Sequence, residues 1–240
     1  MFAKQDYIPS ASVLLLRKQN ERIEVLLLKK NSKITFGGSW VFPGGRVDEE
    51  DNNDFYSDFS AERRAVAREC VEETGLKIDA SELKPISVWK TPVTRPKRFS
   101  TVFFIYNAVD LNQPIRIDHG EIVESKWGAI PDILTQHDAN QLSLAGPAYV
   151  TLSSISSLSS IDEIWAYFRH QGFKEFTPRV LLNNNGAICL YQGDEGYDQL
   201  NDDSISDCEN LLERIESAGA RHRLYMSKSS SWKYVNNLSE

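Results

Sequence analysis

Residues 68–76 read Arg68-Glu69-Cys70-Val71-Glu72-Glu73-Thr74-Gly75-Leu76 and constrain the chain more tightly than any other stretch. Good helix formers run from 61 through 74, Ser60 or Asp58 can cap the start, and Gly75 supplies a left-handed stop. In that helix Glu69, Glu72 and Glu73 fall at i, i+3 and i+4 and crowd one face. Val66 and Cys70 share one side, as do Ala67, Val71 and Thr74. Three carboxylates on one face repel each other, so something positive must answer them. A divalent cation that takes oxygen ligands is the economical candidate. Arg68 stands four residues before Glu72, placed to pair with a helix carboxylate and fix its rotamer. The competing reading is a plain acidic helix face in solvent.

The rest of the chain supplies elements around this helix. Residues 13–17 and 23–29 are short, branched-rich apolar runs across a polar break, a hairpin pattern. Trp40-Val41-Phe42 reads as a short strand ended by Pro43 and the pair Gly44-Gly45, where positive φ or close backbone approach to a ligand is expected; a plain turn is the alternative. Residues 48–58 carry six acids in eleven positions, a solvated loop. Strands are expected over 86–89, 101–109 and 122–127. Between the first two, residues 84–109 hold five basic residues and no acid, the place in an acidic protein to seek an anion's partners, or else an ordinary solvated loop. A short helix follows over 131–136, with Pro131 in its first turn, then helices over 147–158 and 161–171. Residues 179–182 and 187–191 form a second hairpin pattern across Asn183-Asn184-Asn185-Gly186. A helix over 205–218 and closing strands over 221–226 and 232–235 complete the chain. Trp40 and Trp89 are expected in the core.

With 41% hydrophobic and 25% charged residues, the 240-residue chain has an ordinary globular composition. Its net charge of -7 argues against a general nucleic-acid binder. Cys70, Cys189 and Cys208 are odd in number and widely spaced, which fits a reducing compartment better than secretion. No apolar signal core opens the sequence and no run approaches a membrane span. The expectation is a cytoplasmic protein whose partner is a small nucleotide diphosphate, with no nucleic acid and no membrane; a homodimer is left open.

The stretch from Gly45 to Leu76 resembles the signature of the Nudix hydrolases, G-x5-E-x7-R-E-U-x-E-E-x-G-U with U a bulky aliphatic residue. Arg68 through Leu76 matches every fixed position, with Cys70 standing in for an aliphatic. The first half departs: the expected glutamate falls at Asp51, and sixteen residues rather than seven precede Arg68. That nine-residue insertion puts the role of Asp51 in doubt and leaves the helix glutamates untouched. The extended loop after Phe-Pro-Gly-Gly-Arg-Val-Asp is similar to the branch of peroxisomal coenzyme A diphosphatases and their bacterial relatives. So are Trp89-Lys90-Thr91-Pro92, Pro96-Lys97-Arg98-Phe99-Ser100-Thr101, Phe103-Phe104, the stretch from Gly120 to Trp127, and Thr177-Pro178-Arg179. The sequence ends Asn237-Leu238-Ser239-Glu240 with no peroxisomal address, so a bacterial-type cytoplasmic relative is expected.

The resemblance implies an α/β fold: a Nudix-type α/β/α sandwich with a mixed, curved central sheet over 1–175, and a C-terminal α+β extension over 176–240 packed on the same domain. It implies hydrolysis of a nucleoside diphosphate linked to another group, with Mg²⁺ or Mn²⁺ held by Glu69, Glu72, Glu73 and the carbonyl of Gly44 or Gly45. Arg68 is then a supporting residue of the catalytic set. A further carboxylate from a later loop is expected as ligand or base, with Glu121 ahead of Glu124. Arg46, Lys97 and Arg98 are the candidate substrate contacts. Coenzyme A or acyl-CoA leads as substrate, ADP-ribose or NADH is the rival, and a catalytically silent nucleotide sensor is the alternative from another class.

Overall fold

A computed structural model of the chain describes residues 7–33, 37–52, 58–92, 95–109, 111, 113–200, 219–228 and 231–238. The chain divides into two compact units, Tyr7–Trp89 with Phe99–Glu175, and Lys90–Arg98 with Phe176–Glu240. The connection between two strands of the first unit thus groups with the C-terminal residues, which linear order does not reveal. The helix expected over 205–218 lies outside the described residues.

The first unit is built on a mixed sheet whose central strand, β1 (Ile8–Gln19), is apolar along almost its whole length. Both of its faces are covered, so alternation gives way to a continuous Val13-Leu14-Leu15-Leu16 run, all buried. A two-residue turn at Asn20 and Glu21, both at positive φ (47° and 60°), returns the chain as β2 (Arg22–Lys30). The hairpin is therefore tighter than the polar break in sequence suggests. One edge of β1 carries β6 (Phe99–Asn107) in parallel register from Ile8 to Leu16. The other edge forks: residues 16–19 pair with β2, and residues 10–12 pair with β4 (Gly44–Arg46). β3 (Trp40–Val41) and β7 (Ile122–Ala129) border β2, while β5 (Lys84–Lys90) and β8 (Lys174–Phe176) extend the β6 side.

Helix α1 (Ser60–Thr74) lies on the face presented by Ala11, Val13, Leu15, Leu26, Leu28, Val102 and Phe104, inserting Val66 and Cys70 among them. On the remaining strands and edges pack α2 (Ile130–Asp138), which meets β2 and β7, α3 (Gly146–Ile155), which meets α2, and α4 (Ile161–Gln171), which meets β1. The mixed sheet with its helices is the α/β class expected. Trp40 and Trp89 are buried. One local expectation needs correction. Neither Ser60 nor Asp58 caps α1: Phe59 is the N-cap, left-handed at φ 60°, with no side-chain cap bond. On the same helix Val71 is 40% exposed while Glu73 is 5% exposed, a burial pattern that the grouping of residues by helical period does not give. Gly75 does end the helix at φ 74°, its N–H donating to the Val71 carbonyl at 2.8 Å.

The second unit holds an antiparallel sheet in the order β12-β11-β10-β9, from β9 (Arg179–Asn183), β10 (Gly186–Leu190), β11 (His222–Ser227) and β12 (Lys233–Asn236). Leu181, Ile188, Leu190 and Leu200 form its apolar core. Beside them the fully buried Arg223 grips Asp194 through two bonds of 2.7 Å, and Asp194 also accepts the N–H groups of His222 (2.8 Å) and Gly196 (2.9 Å). Removing one partner strands a charge in a low-dielectric interior. Arg223→Met should therefore cost about 3–5 kcal/mol, and pairing it with Asp194→Leu should recover part of that loss. Urea unfolding of the two variants checks this; equal loss in both would show that the pair is not the feature being disrupted.

Candidate active site

The site forms where the end of α1 meets β4 and the end of β2. Gly44 sits at φ 147°, and a Cβ there would approach the Ala11 carbonyl oxygen to 2.2 Å. Gly45 has ordinary φ, but a Cβ would meet the Glu69 carboxylate at 2.2 Å. Gly44 therefore lets β4 pair closely with β1, and Gly45 leaves the space in which Glu69 of α1 closes onto β4. The Gly44 N–H, aimed at the helix, donates to Glu73 Oε2 at 2.9 Å.

Burial then works against the carboxylates. It pushes the Glu73 carboxyl up to about 7, because desolvation and the neighbouring Glu69 outweigh the Lys30 ammonium and the Gly44 N–H. Glu69 is also raised, by burial first and by Glu72, against the pull of Arg68 and Lys30. Glu72 stands at the exposed rim. The helix end is thus short of positive charge. Its own C-terminal dipole is negative there, and its last turn has no basic residue.

Arg68 gathers most of the available compensation. Its guanidinium reaches Glu69 Oε1 (3.1 Å), Glu72 Oε2 (3.2 Å), Asp51 Oδ2 (3.0 Å) and Asp48 Oδ2 (3.3 Å), and donates to the Arg46 carbonyl at 3.0 Å. Sequence reasoning left Asp51 in doubt because of the insertion. The structure places it 5% exposed, with Arg68 on its carboxylate, the Asp48 N–H on Oδ2 (2.9 Å) and Arg64 Nε on its carbonyl (2.7 Å). A short 3₁₀ turn, Glu49–Asp51, aims it inward before the inserted residues begin. The signal available in sequence was its correct six-residue offset from Gly45.

Lys30 is the residue that sequence reasoning missed. It continues the Leu26-Leu28 face of β2 toward α1, and its ammonium donates to Glu121 Oε1 (2.6 Å) and to Glu73 Oε1 (3.3 Å). Burial lowers the ammonium's proton affinity, but Glu73 and Glu121 more than restore it. Glu124 goes elsewhere. It pairs with Lys29 at 3.2 Å, and Lys29 alternates to the opposite face of β2 from Lys30. Arg46 is exposed, 5.8 Å over the Phe99 ring. Lys97, exposed, and Arg98, half-buried, belong to the other compact unit.

Among the described residues, no three acidic, histidine or cysteine side chains converge as a finished metal cage. Arg68 instead bonds Glu69 and Glu72, and Lys30 bonds Glu73 and Glu121. The donor set nevertheless suits a hard divalent cation: oxygen ligands only, two of them raised in pKa chiefly by burial, packed on a glycine pair.

Residues 6–145 match the NUDIX domain. The chain belongs to the Nudix family. A human relative, acyl-coenzyme A diphosphatase NUDT19, is 24% identical over 146 residues, 58% of this chain and 39% of that protein. The chain thus spans about two fifths of the curated relative it matches. The crystal structure of a NUDIX hydrolase from Alicyclobacillus acidocaldarius superposes with a TM-score of 0.60 at 22% identity, covering 68% of this chain and 97% of that one. The NUDIX domain of Shewanella oneidensis NrtR complexed with ADP ribose is also similar, at a TM-score of 0.46, 20% identity and coverage of 59% and 80%. Nudix hydrolases generally use divalent metal ions, and the donor set of this chain accords with that. Among the described residues no helix is long and apolar enough to cross a membrane.

Two outcomes follow from the electrostatics of this Nudix site. Glu73 holds its proton to about 7 when folded, against 4.5 as the reference. Its contribution to stability is complete below 4.5 and is lost as pH rises toward 7. In chelator, wild type should lose up to about 3 kcal/mol relative to Glu73→Gln between pH 4.5 and 8; a pH-independent difference in denaturant unfolding would contradict it. Asp51→Ala should release Arg68 and weaken divalent-cation binding about 10–100-fold by calorimetry, while leaving α1 helical by circular dichroism.

Proposed function

We propose that this chain hydrolyses the diphosphate bond of a nucleotide derivative, with coenzyme A or an acyl-CoA as the leading substrate. The observation that carries the reading is the carboxylate cluster of Glu69, Glu72 and Glu73, closed against Gly44-Gly45 and left short of positive charge. Glu69, Glu72 and Glu73, with the Gly45 carbonyl, would hold Mg²⁺ or Mn²⁺. The ion would supply Lewis acidity toward diphosphate oxygens and lower the pKa of a bound water.

The chain's own residues do the rest. Arg68, braced by Asp51, fixes the orientation of Glu69 and Glu72 so that little reorganisation is needed when charge develops. Glu121 stands as the carboxylate beyond the box that takes a proton from the attacking water, and it is favoured over Glu124 of β7, whose carboxylate pairs with Lys29 instead of Lys30. Arg46, at the exposed edge beside the box, offers a guanidinium to a phosphate. Lys97 and Arg98 are assigned to the 3'-phosphate that distinguishes coenzyme A from its dephospho form. The coenzyme A branch is supported by the similarity to the human acyl-coenzyme A diphosphatase and by the extended loop after Asp51.

The deciding experiment incubates purified protein with Mg²⁺ or Mn²⁺ and CoA, acyl-CoA, dephospho-CoA, ADP-ribose or NADH, and resolves two phosphorylated products by chromatography. CoA should be cleaved fastest, to 3',5'-ADP and phosphopantetheine. Glu72→Gln should slow turnover at least about 100-fold with the thermal midpoint retained. Preference for dephospho-CoA would remove the role given to Lys97 and Arg98. Tight nucleotide binding without product would instead make the chain a sensor.

A further inference from the structure

The loop that carries Glu121 is held at three levels. Asp118 accepts the N–H groups of Gly120 (3.1 Å), Glu121 (2.8 Å) and Ile122 (2.9 Å), which folds the loop back on itself. The end of β2 grips its main chain: the Asn31 N–H donates to the Glu121 carbonyl (2.8 Å), and Asn31 Nδ2 donates to the Gly120 carbonyl (2.9 Å). These bonds fix the backbone at Glu121 but leave its side chain free to point into solvent, and it is 57% exposed. The third level is the Lys30 ammonium, which among the described residues is the partner of the Glu121 carboxylate, at 2.6 Å. Lys30 itself has little choice of direction. Its side chain is 12% exposed, it issues from the face of β2 that packs on α1, and Glu73 engages the same ammonium at 3.3 Å.

We propose that Lys30 is a positioning residue that delivers the Glu121 carboxylate to the box helix. One cation, rooted in β2, joins a carboxylate of α1 to a carboxylate of the loop before β7. Without it, Glu121 must lose side-chain freedom with no compensating bond in order to act on a substrate at the box. With it, that ordering is completed on folding, and the loop carboxylate is preorganised at the site. The alternation of β2 gives the choice of residue: Lys29 faces away to Glu124, and Lys30 is the last residue of the strand whose side chain can reach α1. This assignment rests on the reading of Glu121 as the carboxylate that acts beyond the box.

Two independent measurements test it. In the first, the ¹⁵N-lysine ammonium signal of Lys30 is observed by NMR in wild type and in Glu121→Gln. A held ammonium exchanges slowly enough to be seen, and the signal should weaken or vanish in the variant; an unchanged signal would overturn the bridge. The second uses whichever of CoA and ADP-ribose is cleaved with Mg²⁺. Lys30→Met should lower kcat about 10–100-fold with KM held within about twofold. Lys30→Arg should recover much of the rate, and Lys30→Met combined with Glu121→Gln should be no slower than the slower single variant. A normal kcat in Lys30→Met beside a crippled Glu121→Gln, or multiplicative losses in the double variant, would overturn the assignment while leaving the proposed function standing. Absence of turnover in wild type would overturn the proposed function instead, and the NMR signal still decides the bridge.

Discussion

Uncompensated negative charge at the C-terminal end of α1 is the constraint around which the first unit is arranged. Three carboxylates there stand within one and a half helical turns, against a helix dipole of the same sign. Burial on the β4 side makes the charge more costly still, as the raised proton affinity of Glu73 records. The protein answers with Arg68, Lys30 and the Gly44 N–H. The first two are themselves shared with Asp51 and Glu121, so each cation already serves a second acid. What remains is a deficit that oxygen-seeking divalent cations are suited to fill.

The sheet is what makes this concentration of charge tolerable. The fork in β1 leaves β4 beside the N-terminal half of that strand, with α1 laid across it, so glycine main chain rather than side chain meets Glu69. Alternation along β2, with an irregularity in its pairing to β7 between Lys29 and Lys30, sends the two neighbouring lysines to different partners: Lys29 to Glu124, and Lys30 to Glu73 and Glu121. A shift of one residue in β2 would exchange them and leave Glu73 facing the wrong partner. Register, set by the tight turn at Asn20-Glu21, therefore reaches through to the site.

Much of this was legible in sequence because it is local. The three glutamates are related by helical period, Gly75 by its place after the last turn, and the hairpins by alternation and turn residues, and all of these appear where expected. The failures share a different character. Which side of α1 is buried depends on how the helix rolls against β4, so helical period alone does not show that Val71 is exposed and Glu73 buried. The start of α1 is set by Phe59 in a left-handed conformation, for which no side-chain cap was needed. Lys30 lies forty-three positions from Glu73. Its role follows from strand pairing across most of the unit, so no motif length reveals it. The Asp51 position was visible by offset, but the inserted residues hid that its partner Arg68 is close in space. That Lys97 and Arg98 group with the C-terminal residues is a property of the tertiary contacts, which linear order does not carry.

The cluster of Glu69, Glu72 and Glu73 on α1 is the proposed divalent-cation site. Isothermal calorimetry with Mn²⁺ on the folded protein tests it most directly, comparing wild type with a Glu69→Gln, Glu73→Gln double variant at pH 8. Wild type should bind with release of less than one proton at pH 8 and with more proton release at pH 6.5, where Glu73 is largely protonated. The double variant should bind at least about 100-fold more weakly, with no such pH dependence. Equal affinity in the two proteins would show that these glutamates do not hold the cation.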